Sequence, residues 1–156
     1  MNCMMRVIKA FLPAVIVAYL LASILFTQTI LATVQSFGLE VSFAQRLGAT
    51  WHDILGMASS YLLLLLVAFV IALPVAAGLT RILPSRRALL FTLAGFLAVV
   101  ALHVIMKAVL GISGIAATRT LAGLIGQGLA GALGGYVYHR LSRTAVSEPL
   151  RAAGMT

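Results

Sequence analysis

The groups in this 156-residue sequence that could do chemistry are few, and they sit among apolar neighbours. His103 and Lys107 are four apart, so a helix places them on one face, one turn from each other. Gln127 and Gln28 are the other long polar side chains inside apolar stretches. Ser59, Ser60, Asp53 and Glu40 lie near the ends of those stretches. An imidazole beside an ammonium group suits a proton, a lipid headgroup or a quinone-like ring, with His103 titrating and Lys107 as its cationic neighbour. The bland alternative is a hydrogen bond between His103 and Gln127 across a helix interface, with Lys107 reaching outward to headgroups.

Other chemistry finds no residues to carry it. His52, His103 and His139 fall at three different depths, so one haem could not bridge two of them. Cys3 is the lone cysteine, with no clustered acids to complete a metal site. No cofactor or metal is expected. Ser59 and Ser60 have no histidine or lysine placed as a hydrolase base. The weakest reading is an enzyme acting on lipid through His52 and Asp53.

The elements that must position these groups are four apolar runs, at about 10–34, 57–79, 88–110 and 120–138. Each is long enough to cross a hydrocarbon core roughly 30 Å thick. Charged residues make up 9% of the chain, against about 25% in soluble domains. A chain so apolar could not cover its surface in water. The net charge of +8 does not point to nucleic acid, because the basic residues flank the runs. Arg6, Lys9, Arg81, Arg86, Arg87, Arg140, Arg143 and Arg151 fall on one side, and Arg46, Lys107 and Arg119 on the other. The positive-inside bias then puts both termini in the cytoplasm. Run one continues too far for a cleaved signal peptide and reads as a retained anchor. The Ala/Leu/Gly-rich helices and compact loops suggest a bacterial inner membrane.

Helical rise sets depth along each run. Counted from the cytoplasmic ends, His103 lies roughly 21 Å up, Gln127 roughly 18 Å, Lys107 roughly 28 Å and Gln28 about 27 Å. An unpartnered polar group in hydrocarbon costs several kcal/mol. These residues are therefore expected to face inward and gather in one outer-leaflet cluster. Pro74, inside run two, cannot donate to the carbonyl of Val70, so a kink or a hydrated site is expected there. Gly111, Ser113 and Gly114 mark the turn into run four.

Run four is built of small residues. Gly123, Gln127, Gly131 and Gly135 form one stripe at spacing four, and Ala122, Gly126, Ala130 and Gly134 the next. Small residues let helix backbones approach closely, a main source of association in lipid. Two stripes imply two neighbours, either two spans of this chain or one span and another protomer. Gly123, Gly126, Gly131, Gly134 and Gly135 are the expected packing positions.

Between runs one and two, Ser42 and Gln45 form a capping box opening a helix at about 43–55. Phe43, Leu47, Trp51 and Ile54 are assigned to one face. Gln45, Ala49, His52 and Asp53 are assigned to the other, with Arg46 beside them. This helix is expected to lie flat at the outer headgroups, anchored by Trp51. Residues 144–156 read as a polar, disordered tail.

The fold expected is all-α: an integral membrane four-helix bundle spanning 1–143. Surplus small-residue surface and missing catalytic groups favour a non-enzymatic accessory or assembly subunit in the bilayer, within a homo-oligomer or larger membrane complex. The alternative is a binding or transport module for a small or lipidic ligand, using His103, Lys107, Gln127 and Gln28.

Overall fold

Backbone amides surrounded by oil must be bonded within their own segment, so long apolar runs fold as helices. A computed structural model describes residues 3–111, 118 and 120–152. Its elements are α1 (Cys3–Ser36), α2 (Phe43–Gly56), α3 (Tyr61–Ile82), a 3₁₀ turn (Pro84–Arg86), α4 (Arg87–Leu110) and α5 (Leu121–Ala152). The protein is all-α over the described residues. Among the described residues, three stretches are long and apolar enough to cross a membrane: Val7–Ser36, Tyr61–Ile82 and Pro84–Val109. The fourth expected span lies within α5, which is not among those three. Glycine adds little hydrophobicity, and α5 is rich in it. Helix α5 also continues to Ala152, through much of the segment read as a tail. The turn expected at Ser113 and Gly114, and Arg119 with it, lies outside the described residues.

Local chemistry sets the ends. The Ser42 hydroxyl accepts from the Gln45 amide while the Gln45 side chain accepts from the Ser42 amide, the reciprocal capping box. Helix α4 stops at Gly111, whose φ of 67° is the left-handed conformation that glycine adopts without strain. Helix α3 remains helical across Pro74. Pro74 lines a shallow apolar groove with Phe11, Leu73 and Tyr138.

Helix α5 makes its most extensive contacts with α4 and α1, and α3 packs on α4 and, less closely, on α1. The core side chains include Phe69, Leu65 and Leu73 of α3, Phe91 and Val99 of α4, and Val15 of α1. On α1, Ala10, Ala14, Ala18 and Ala22 repeat every four residues and are all buried. That stripe gives α5 a smooth surface to approach.

The contact surface of α5 is backbone rather than side chain. A Cβ added at Gly135 would stand 2.1 Å from the Phe91 carbonyl oxygen, and one at Gly131 2.3 Å from that of Gly95. On the adjacent face, a Cβ at Gly134 would stand 2.8 Å from the Ala14 carbonyl oxygen and from Ala18 Cβ. The two neighbours of the small stripes are therefore α4 and α1 of the same chain. Gly126 behaves differently, since a Cβ there meets nothing within 4 Å. Gly123 is half-buried and its amide donates to the Thr120 hydroxyl at 3.1 Å. Gly95, on α4, is the close-packing residue that a reading confined to run four overlooks.

Helix α2 does not follow the assigned faces throughout. Phe43, Leu47, Trp51 and Leu55 are exposed at 80%, 62%, 64% and 60%. Ile54 instead packs against the buried core, and its carbonyl accepts the Tyr19 hydroxyl. The reason is geometric: Leu55 continues the four-residue step from Phe43, whereas Ile54 lies about 100° away. The inward side carries Arg46, Thr50 and Asp53. Arg46 bonds Gln28 and Gln35, Thr50 bonds Gln28, and Asp53 accepts from Thr27. Later α2 residues meet earlier α1 residues, so α2 runs antiparallel along the C-terminal half of α1.

Candidate functional site

Tyr61 organises the polar interior. Its hydroxyl donates to Oε1 of Gln127 at 2.9 Å, and Nε2 of Gln127 donates to the Ala22 carbonyl at 3.0 Å. The Tyr61 ring meets the edge of His103 at a centroid distance of 5.7 Å and tilts against Tyr19 at 6.2 Å. Helices α1, α3, α4 and α5 thus each supply one member of a single buried node. Tyrosine suits this position because its ring fills apolar space while its hydroxyl needs only one partner.

His103 Nδ1 lies 2.8 Å from the Val99 carbonyl oxygen. A carbonyl only accepts, so Nδ1 carries a proton. Nε2 is buried without a hydrogen-bond partner, as is the Ser23 hydroxyl. The node ties four helices together and leaves Nε2 of His103 without a hydrogen-bond partner.

The four residues expected in one cluster are divided among three places. His103 and Gln127 both pack on Tyr61. Gln28 belongs to the α1–α2 seam, where Nε2 donates to Thr50 at 3.2 Å and Oε1 accepts from Arg46. Lys107 is exposed, as are Ser59 and Ser60. Asp53 serves the seam too, its Oδ2 accepting from Thr27 at 2.8 Å. His52, fully on the outside, approaches Asp53 only to 3.9 Å. Among the described residues no three His, Cys, Asp or Glu side chains come together as a metal site.

Tyr61 and Tyr19 are the members that sequence reasoning missed. The available signal was a tyrosine opening an apolar run, whose hydroxyl must find a partner once its ring is buried. Thr27, near the polar end of run one, pairs with Asp53 and was likewise missed.

A second feature lies on the opposite face of α4. Helices α3 and α4 flank an apolar groove of about 470 Å³. Its floor is alanine, from Ala68, Ala72 and Ala76 on one helix to Ala94 and Ala98 on the other. Its rims are exposed Val67, Ile71, Val75, Leu93, Leu97 and Ile105.

Compared with protein-family models, curated proteins and solved structures, the chain matches none.

Proposed function

We propose that this apolar, multi-pass membrane protein crosses a bacterial inner membrane four times, with both termini cytoplasmic, and acts as a non-enzymatic accessory subunit. It docks on a larger membrane complex through the outer α1–α2 hairpin. The supporting observation is the reversed polarity of α2, whose polar side is bonded to α1 while its apolar stripe is left uncovered. The small stripes of α5 no longer support docking, because α1 and α4 occupy them.

Length argues that a protein rather than lipid covers the stripe. The apolar part of α1 has 30 residues, about 45 Å of helix, against a core of roughly 30 Å. With Val7 at the inner boundary, Thr27 falls at the outer one, and Asp53 is bonded to it. Phe43 is then about 15 Å further out, beyond a headgroup layer about 6 Å deep. Leu55 sits in hydrocarbon and Trp51 among headgroups, its expected anchoring zone. Phe43 and Leu47 stand past both, together with exposed Phe37 and Leu39.

A photo-crosslinking residue at position 43 or 47, used in intact cells, is expected to give one discrete protein adduct. Leu47→Glu should remove that adduct without changing thermal unfolding in detergent. Adducts to lipid alone would defeat the reading. Orientation is checked with Glu40→Cys in a Cys3→Ser background, which should label from outside the inner membrane.

A further inference from the structure

Oxygen atoms crowd the seam between α1 and α2 around Asp53, the single acid of α2. We propose that they bind a sodium ion, held by the Asp53 carboxylate, the Thr27 hydroxyl, and the hydroxyl and carbonyl of Ser23.

On α1, Tyr19, Ser23 and Thr27 recur every four residues and are all buried. Tyr19 donates to the Ile54 carbonyl and Thr27 to Asp53, so both ends of this row are bonded to α2. Ser23 lies one turn from each and faces the same helix. Its hydroxyl is fully buried without a hydrogen-bond partner. Thr27 has one hydroxyl proton but two acceptors, Oδ2 of Asp53 at 2.8 Å and the Ser23 carbonyl oxygen at 3.1 Å. It can donate to only one of them, which leaves the other pair of oxygens in contact with no proton between. A cation among these oxygens removes that repulsion and gives the buried Ser23 oxygen a charge to face.

The local field calls for positive charge. Asp53 stands in the last turn of α2, where the carbonyl ends of the helix already concentrate negative potential. That turn contains no basic residue. Among the described residues, the one ion-pair contact of Asp53 is His52, which is 87% exposed and 3.9 Å away. Arg46 is already bonded to Gln28 and Gln35. The donor set selects the ion. One carboxylate among neutral oxygens matches a single positive charge, whereas a divalent ion draws more carboxylates or keeps its water. The short separations between the oxygens suit a small ion. Sodium has nearly the radius of calcium, whose oxygen ligands stand at about 2.3–2.6 Å, and potassium is larger. The Asp53 side chain is 28% exposed, which gives the ion a way in and lets water complete its shell.

The test is equilibrium binding of radioactive sodium to the detergent-purified full chain. It is competed with unlabelled sodium, potassium and calcium chlorides at constant ionic strength. The wild-type chain is expected to bind sodium saturably, with potassium and calcium competing far more weakly. Asp53→Asn keeps an acceptor for Thr27 but removes the charge, and should abolish binding. Ser23→Ala removes one neutral oxygen and should weaken binding on the order of tenfold, while the thermal unfolding midpoint without sodium stays at the wild-type value. Absence of saturable sodium binding by the wild-type chain overturns the proposal, and that measurement needs no variant to fold. Potassium or calcium competing as well as sodium overturns it too, as does sodium binding that survives in Asp53→Asn or is unchanged in Ser23→Ala. Failure of the crosslink at position 47 bears on the accessory role and leaves this result untouched.

Discussion

Helix α4 has two small-residue faces with opposite fates. Towards α5, Gly95 meets Gly131 and Gly135 so closely that backbone touches backbone. Towards α3, Ala94 and Ala98 face Ala68, Ala72 and Ala76 across an open trough. Small side chains therefore do not close a seam by themselves. Closure here has glycine on α5, where the missing Cβ lets a carbonyl oxygen of the facing helix, from Gly95, Phe91 or Ala14, sit against its backbone. Alanine flanked by leucine and isoleucine keeps the axes apart and leaves a channel between the rims.

The strongest way to break this contrast is Gly131→Leu. The new side chain would run into the Gly95 carbonyl and Val99, and about 3 kcal/mol or more of stability should be lost. Thermal unfolding in one detergent measures it. Gly126→Leu, on the same helix, should stay within about 0.5 kcal/mol. Equal effects at the two positions would dissolve the distinction between closed and open surfaces.

The buried node comes next. Tyr61→Phe keeps the ring but orphans Oε1 of Gln127, which should cost about 1–3 kcal/mol. The same unfolding measurement reads it. Filling the trough with Ala72→Leu is expected to change stability by less than about 1 kcal/mol, because the added methyl groups enter open space. Smallest of all, Lys107→Ala should leave the unfolding midpoint within about 0.5 kcal/mol of wild type. A large loss there would place Lys107 back in a polar cluster with His103.

The polar residues show how far a sequence reading carries. Their spacing along each helix was legible, since rise per residue is constant. His103 and Gln127 both reach Tyr61. Their grouping was not legible. Lys107 follows His103 by one turn yet is exposed, and Gln28 turns towards α2 instead of the interior. The same limit misassigned Ile54, one residue from the exposed Leu55. Apolarity cannot separate the two, because lipid outside and protein inside are equally oily.

Alone, the sequence of this protein determined that its long apolar runs are helical and where several of them stop, though α5 continues through the segment read as a tail. Hydropathy, the Ser42–Gln45 capping box and the stop at Gly111 act within a few neighbouring residues. Only the tertiary structure decided how each helix is rotated about its axis, and hence that α1 and α4 fill the small stripes of α5. Rotation depends on which backbone can come closest and which buried polar group finds a partner. Those choices are made between segments far apart in the chain, as when Gln127 reaches Ala22.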